Sequence, residues 1–439
     1  MAISAPKATT HLSYLQKKAV FLASLGEFID GYDLLVMGAA LLYLTPRFHL
    51  SAGQIGALGA AAYIGAAVGL LIFGNMADKL GRRTIFMFNL VFFVVFALLS
   101  AFITSTWELF ITRFFVGLGV GADIPTSMSY IAEVSPPAQR GRLLGALPQI
   151  TWIVGAAVAT FLGIVMNKFF GPTAWRWMFG VAAIPALLVL LGRRSLPESP
   201  RWLQFKGRDD EARAVLQQFG LSEPVVEVGD RANFWEIFSR PYRTRTLVVA
   251  TINGLDCLSV AIATLSVPFI LRYVGLMSVE NSLIFSGLAW GADLVGAVLN
   301  YWLIDRFPRR AVAMATMIPM GLSGIGIALF GVHDPTVLIM FVFLFGFFHW
   351  LGSAQCVWAW GSELFPTRIR GSAQGFGNAI CRLAIGANIF IIPLGLTTIG
   401  FPTTVFLLSL PPLINGAIAY GYRPLETKGY ELENLQAQR

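Results

Sequence analysis

Charge is what this chain has least of. Aspartate, glutamate, lysine and arginine make up 13% of its 439 residues against 56% hydrophobic ones, and the mean hydropathy is +0.68. A soluble fold of this length needs more polar surface than that to cover itself, so the composition excludes an ordinary globular class and leaves a polytopic membrane protein. Cysteine is scarce too. Cys257, Cys356 and Cys381 are odd in number, all fall in apolar runs and show neither metal-ligand spacing nor a disulfide framework, so they read as small packing residues. A Gly-rich phosphate loop, a Ser/His/Asp set and a metal cluster are also missing, which argues against an enzyme and calls for no cofactor and no metal. The net charge of +8 comes from basic residues scattered over loops without a stacking platform, so nucleic acid is not an expected partner. No small-residue cleavage site follows the first apolar run, which is too long for a signal-peptide core and is expected to remain as a transmembrane helix.

What is present is a succession of apolar runs. Stretches of about 20 residues, the length that crosses about 30 Å of hydrocarbon, can be placed twelve times, from 19–44 to 403–422. Lys17, Lys18, Lys79, Arg82, Arg83, Arg140, Arg142, Arg368 and Arg370, with the arginines of 193–245, 306–310 and 423–439, fall on one side of these spans. Only Arg47, Lys168, Arg272 and Arg176 fall on the other. Short basic loops stay in the cytoplasm, so both termini are expected there, with the chain in the cell membrane. The expected organisation is a six-helix bundle over 1–192, a cytoplasmic linker over 193–245, a second bundle over 246–422 and a short tail over 423–439. The linker carries RDDEARAVLQQF, whose apolar residues recur at helical spacing and predict short amphipathic helices on the cytoplasmic face.

Two loop motifs occur twice. GNMADKLGRR, with Asp78, Gly81, Arg82 and Arg83, returns 227 residues on as IDRFPRR, with Asp305, Arg309 and Arg310; EVSPPAQRG from Glu133 returns 230 residues on as ELFPTRIRG from Glu363. Half a membrane chain has been duplicated, which predicts an all-α protein of twelve transmembrane helices in two pseudo-symmetric six-helix bundles, the architecture of alternating access. Arg82 and Arg83 are suited to hold helix C-terminal carbonyls, and Asp78 to meet a helix N-terminus. Glu133 with Arg140, and Glu363 with Arg370, offer charges that would latch one bundle to the other. The expected cytoplasmic gate is therefore Asp78, Arg82, Glu133, Arg140, Asp305, Glu363 and Arg370; the plainer alternative is topological charge with turn glycines. Pro308 stands where the first copy has Gly81.

Charges inside the spans cost about 2.5–3.5 kcal/mol each and ask for a partner or a cavity. The first span holds Glu27, Asp30 and Asp33 in GEFIDGYD. Asp30 and Asp33 are three apart, share a face, and as neighbouring carboxylates favour taking up a proton. Gly31 between them is expected to weaken the helix at midspan. Glu27 reads either as an interfacial charge or as part of the site. Asp293 and His349 have no single reading.

With PESPRWL at Pro197–Leu203 and PLETKGYELE at Pro424–Glu433, the paired loops resemble the major facilitator superfamily, in its branch of sugar porters and metabolite:proton symporters, over essentially the whole chain. The resemblance implies the major facilitator fold, two bundles rocking about a central cavity. It implies that Asp33, beside Tyr32 in GYD, binds the coupled proton and that Arg113 is its partner. DGYD, with Asp30, is similar to aromatic-acid symporters. Asp123 in GVGADIPTSMSYIAE resembles an acid in the fourth helix of phosphate symporters, although Ile124 replaces their tyrosine; ten residues from Arg113, it would lie about 15 Å deeper as a second proton station. Gln149 matches a glutamine that hydrogen-bonds sugar, and Trp152 one turn on would add an aromatic wall. In the second half, Asn253 and Asp256 of TINGLD repeat the positions of Asp30 and Asp33 and are expected to face the same cavity, while the paired glutamines of sugar porters are missing. Trp358 matches a pocket tryptophan, with Ala354 and Gln355 in place of the usual Gly-Pro. Arg382 stands where sugar porters stack a tryptophan, and a guanidinium there suits a carboxylate or phosphate, unless it pairs internally with Asp256 or Asp293. The expected function is proton-coupled symport of a small organic anion, such as an aromatic, nicotinate-like or sugar acid. Neutral sugar, inorganic phosphate and a non-transporting nutrient receptor are the alternatives. The expected partners are that small-molecule substrate, protons and the lipid bilayer, for a protein working as a monomer.

Overall fold

The computed structural model describes residues 12–135, 140–220, 234–260, 262, 267–304, 306–331, 333–365 and 367–427. Helices lie on each of the twelve expected runs, the seventh being described only over 246–260, 262 and 267–271. The first half contains α1 (Tyr14–Phe48), α2 (Ala52–Leu80), α3 (Arg82–Phe102), α4 (Thr106–Val134), α5 (Arg140–Phe170) and a sixth crossing made of α6 (Ala174–Val181) and α7 (Ala183–Arg193). Two short helices follow, α8 (Pro200–Phe205) and α9 (Asp209–Phe219). The second half begins with α10 (Arg243–Val260), continued by α11 (Val267–Tyr273), and goes on through α12 (Val279–Leu303) and α13 (Arg309–Phe330). Its tenth crossing runs α14 (Pro335–Phe348), a π-helical turn at His349–Ser353, then α15 (Ala354–Glu363), before α16 (Thr367–Thr398) and α17 (Phe401–Gly421). No strand occurs among the described residues. Ten helical stretches among them are long and apolar enough to cross a membrane.

Capping boxes start three crossings, α2 among them through Ser51 and Gln54. The Ser13 hydroxyl accepts from the Gln16 amide while the Ser13 amide donates to the Gln16 side chain, and Ser105 with Glu108 does the same for α4. Between caps, the outer helices present apolar side chains outward: Phe88, Val91, Val95, Leu98 and Phe102 on α3 are 42–74% exposed, at spacings of three and four. Such a stripe is a lipid face, since no water need be met there and every backbone group is satisfied within the helix.

Small residues let the helices close up. A side chain at Gly117 of α4 would run into the Ala62 carbonyl of α2, and one at Gly31 of α1 into the Trp152 carbonyl of α5. Contact of this kind drives helix association where lipid removes the hydrophobic incentive. Gly31 therefore marks a close approach; α1 runs unbroken through it, contrary to the expected weak point. The bundles meet through α2 against α16 and α5 against α12. At that seam Trp152 of α5 lies 5.9 Å from Trp290 of α12 and 5.6 Å from Trp350 of the π turn, centroid to centroid.

The basic face shows a third repeat. Glu198 accepts from the backbone amides of Arg82 (2.9 Å) and Arg83 (3.1 Å) at the start of α3, and Arg83 donates to the Arg194 carbonyl beyond α7 at 2.8 Å. Glu426 likewise accepts from Arg309 (3.0 Å) and Arg310 (3.3 Å) at the start of α13, and Arg310 donates to the Ala419 carbonyl near the end of α17 at 2.6 Å. A carboxylate on a helix N-terminus and a guanidinium on a C-terminus both complement the helix dipole. Glu133 lies 3.8 Å from Arg82 and accepts from Ser199; Glu363 lies 3.5 Å from Arg309 and accepts from Thr427. The Glu-Ser of PESP and the Glu-Thr of PLET thus close equivalent brackets in the two halves. The described partners of Glu133 and Glu363 lie in their own half of the chain, whereas a latch between bundles was expected. Of the other expected gate residues, Asp305 and the side chains of Asp78, Arg140 and Arg370 lie outside the described residues.

Two further expectations change. Arg193 is not linker: it ends α7 and is 1% exposed inside the first bundle. Cys257 of α10 and Cys381 of α16 form a disulfide with Cα atoms 5.2 Å apart, so only Cys356 is a free packing cysteine.

Candidate functional site

Three buried ion pairs organise the centre of the molecule, and two begin on α1. The Asp33 Oδ1 accepts from Arg113 Nη1 of α4 at 2.9 Å, with both side chains at most 1% exposed. Arg113 also donates to the Ser100 hydroxyl at 2.6 Å and lies 4.4 Å from the Phe179 ring centroid, so its cation is wrapped inside the first bundle. Asp30, almost one turn earlier, goes the other way. Its Oδ2 accepts from Arg382 Nη2 of α16 at 2.7 Å, an ion pair that crosses from one bundle to the other. Asp30 and Asp33 are therefore each paired with an arginine rather than set against one another.

The third pair lies within the first bundle. Asp123 of α4 accepts from both terminal nitrogens of Arg193, from Asn89 at 2.6 Å and from Ser127 at 2.9 Å. Arg193 spends its remaining donors on the carbonyls of Leu22 and Ala23 in α1 and lies 4.3 Å from the Phe86 ring centroid. Asp123 and Asp30 line one narrow cleft, with room for about one water molecule, whose lining also includes Glu27, Asn89 and Phe93. Removing one member of such a pair leaves a buried charge uncompensated, at about 3–5 kcal/mol. Arg193→Ala should accordingly lower the thermal midpoint of the purified protein sharply, and Asp123→Asn in the same chain should recover part of the loss.

In the second half the acids are held differently. Asp256 of α10 accepts from the Ser353 hydroxyl and lies 3.7 Å from His349 Nδ1, both carried by the π turn. An extra residue in one helical turn re-aims the side chains around it, and here it brings His349 and Ser353 onto one carboxylate. Asp293 of α12 is 1% exposed, with neither carboxylate oxygen hydrogen-bonded among the described residues, and packs against Gly346 of α14, where a Cβ would collide with it. Asn253 and Trp358 line a second narrow cleft, again with room for about one water molecule, together with Gln374 and Asn378.

The family model for the sugar (and other) transporters matches residues 19–438. The chain belongs to that family. It is 31% identical over 414 residues to the inner membrane metabolite transport protein YgcS of Escherichia coli K12, covering 92% of this chain and 90% of the relative. It is 30% identical over 381 residues to a D-xylose transporter of Levilactobacillus brevis, covering 82% of each. The xylose transporter XylE from E. coli, in a partially occluded inward-open conformation, superposes with a TM-score of 0.81 at 22% identity over 95% of this chain and all of that one, which establishes the major facilitator fold. The protein is thus a multi-pass membrane transporter rather than an enzyme.

In this transporter the expected site residues separate into two groups. Asp30, Asp33, Arg113, Asp123 and Arg382 converge on the centre, and Trp152 reaches the seam between bundles. Gln149 is half-buried on α5 without a hydrogen bond among the described residues. Tyr32 does not face a cavity: it is 3% exposed and donates to the Met178 carbonyl of α6 at 2.8 Å. Asp256 is turned into its own bundle and does not face Asp33. Arg382 pairs internally, yet with Asp30 rather than with Asp256 or Asp293. Arg193 and the pair Glu198 and Glu426 were missed as structural partners. The repeated Glu-Ser and Glu-Thr, 228 residues apart, were the signal for the latter.

Proposed function

We propose that this transporter is a proton-coupled symporter for a small hydroxylated metabolite of the sugar or polyol kind, working by alternating access in the cell membrane with both termini cytoplasmic. The observation that carries the coupling is the Asp33–Arg113 pair. A carboxylate buried against an arginine can accept a proton only by releasing that arginine, and the released cation must find a new partner, which links protonation to rearrangement of the bundle. Family membership and the xylose-transporting relative support the sugar-type substrate. The clefts beside Asp30 and beside Asn253 and Trp358 supply amide, indole and carboxylate groups able to read hydroxyls without burying a new charge. Arg82, Glu133 and Glu363 serve the cytoplasmic gate by holding the loops of each bundle rigid as it rocks, and Asp78, Arg140, Asp305 and Arg370 are assigned to the same gate from their repeated motifs alone.

A second reading, symport of a small organic anion, is favoured by one observation, the guanidinium of Arg382 at the bundle interface. Both are tested by uptake into proteoliposomes under an inward proton gradient, using D-xylose, D-glucose, myo-inositol, gluconate, nicotinate and inorganic phosphate. The expected result is accumulation of a neutral sugar or polyol that collapses with a protonophore. Accumulation confined to a carboxylate moves the assignment to the organic anion, and uptake indifferent to the protonophore removes the coupling.

A further inference from the structure

One acid on α1 has no partner among the described residues. Glu27 is 7% exposed, and among those residues its Oε1 is buried without a hydrogen bond and it forms no ion pair. Around it the charges nearly cancel. Asp33 is paired with Arg113, Asp30 with Arg382 and Asp123 with Arg193. These three pairs use the three arginines and leave Glu27 as a fourth carboxylate. The charged groups that face it are Asp30 on its own helix, Asp123 on α4, Arg193 on α7 and Arg382 on α16. In a low-dielectric interior an unpaired carboxylate is excluded unless it holds a proton.

Geometry ties this proton to the contact between bundles. Glu27 and Asp30 are three residues apart, about 4.5 Å along α1 and about 60° around it, on neighbouring stripes of one face. Both line the same cleft. Arg382 reaches Asp30 from the opposite bundle, and a guanidinium on a long flexible stem can exchange one of these carboxylates for the other.

We propose that Glu27 and Asp30 are alternative partners for Arg382, one shared proton, additional to the one that Asp33 takes up, sitting on whichever carboxylate the arginine leaves. In the arrangement seen here Arg382 holds Asp30 and the proton is on Glu27. When the proton passes to Asp30, the O–H bond at Glu27 breaks, one forms at Asp30, and the negative charge moves to Glu27. Arg382 follows it by almost one helical turn. Packed interfaces move in such discrete steps rather than by continuous deformation, so the proton hop becomes a ratchet of α16 along α1. Asp33 and Arg113 stay inside their bundle during this step. The inference deepens the proposed symport and rests on it for its role in the transport cycle, but the proton itself can be observed without a substrate.

The test is infrared difference spectroscopy across neutral pH of the full chain in liposomes, reading the carbonyl stretch of a buried protonated carboxylic acid; every sample, the wild-type reference included, carries Asp293→Asn, because Asp293 is a second buried acid whose oxygens have no hydrogen bond among the described residues. Wild type should show this band. Glu27→Gln should lose it, because Arg382 then stays on Asp30 with no acid left to protonate. Asp30→Asn should lose it as well, because Arg382 then stays on Glu27. Both replacements nearly preserve shape, and unchanged thermal midpoints would show that each variant is folded. A band that persists in Glu27→Gln, or is absent from wild type, overturns the proposal. Proton-driven uptake is measured on the same samples. Gradient-driven uptake with a band retained in Glu27→Gln defeats the ratchet alone; no gradient-driven uptake of any solute, with the band lost in both variants, defeats the symport reading and leaves the shared proton established.

Discussion

Asp33→Asn should abolish uphill accumulation while leaving exchange of solute across the membrane intact. A gradient of one pH unit supplies about 1.4 kcal/mol per proton, about a tenfold concentration ratio, so wild-type proteoliposomes should concentrate the transported solute by that factor and the variant should only equilibrate it. The reason is local. Arg113 is enclosed by Asp33, Ser100 and the Phe179 ring, and an asparagine can accept from the guanidinium but can neither bind nor release the coupled proton. Counterflow of labelled solute against unlabelled solute separates the two outcomes, because it needs alternating access without a driving force. Sustained accumulation by Asp33→Asn would place the coupling elsewhere on α1. Loss of counterflow as well would mean that the pair is needed for the motion itself.

What was legible in the sequence follows the range of each interaction. Apolar runs disclose the twelve crossings because the membrane acts on one helix at a time, and loop motifs disclose the duplication because they repeat whole. Asp33 and Arg113 could be assigned through GYD and the RFFVG segment. The partner of Arg382 could not, since Asp30 is 352 residues away and the pair exists only once the two bundles have met. Arg193 was read as loop because it adjoins Arg194 and a polar stretch; its burial depends on Asp123, Leu22 and Ala23 presenting acceptors from two other helices. Asp256 was expected to mirror Asp33. The π turn at His349–Ser353, which has no sequence signature of its own, gives it a hydroxyl and an imidazole instead of an arginine. The disulfide joins residues 124 apart on separate helices, a pairing that three cysteines alone cannot identify.

Arg382 carries the other large effect, and its interpretation depends on removing two charges rather than one. Arg382→Ala by itself leaves Asp30 unpaired between the bundles, so it should cost about 3–5 kcal/mol of this arrangement whatever the substrate is. A loss of transport in that variant would therefore say nothing about ligand charge. Arg382→Ala combined with Asp30→Asn removes the pair without stranding either member, and its thermal midpoint should return most of the way to that of wild type. In this neutral background the substrate classes separate. A sugar or polyol, read by hydroxyl contacts, should bind within a few-fold of wild type. An organic anion that displaces Asp30 from the guanidinium should lose about 2–5 kcal/mol, the range for a truncated buried charge pair. Calorimetric titration of the transported solute, at a pH where any carboxylate is ionised, measures the difference directly. Near-wild-type affinity in the double variant would make Arg382 a contact between bundles that the substrate never touches. A severe loss, with the fold intact, would make the same arginine an anion clamp that Asp30 occupies between transport events.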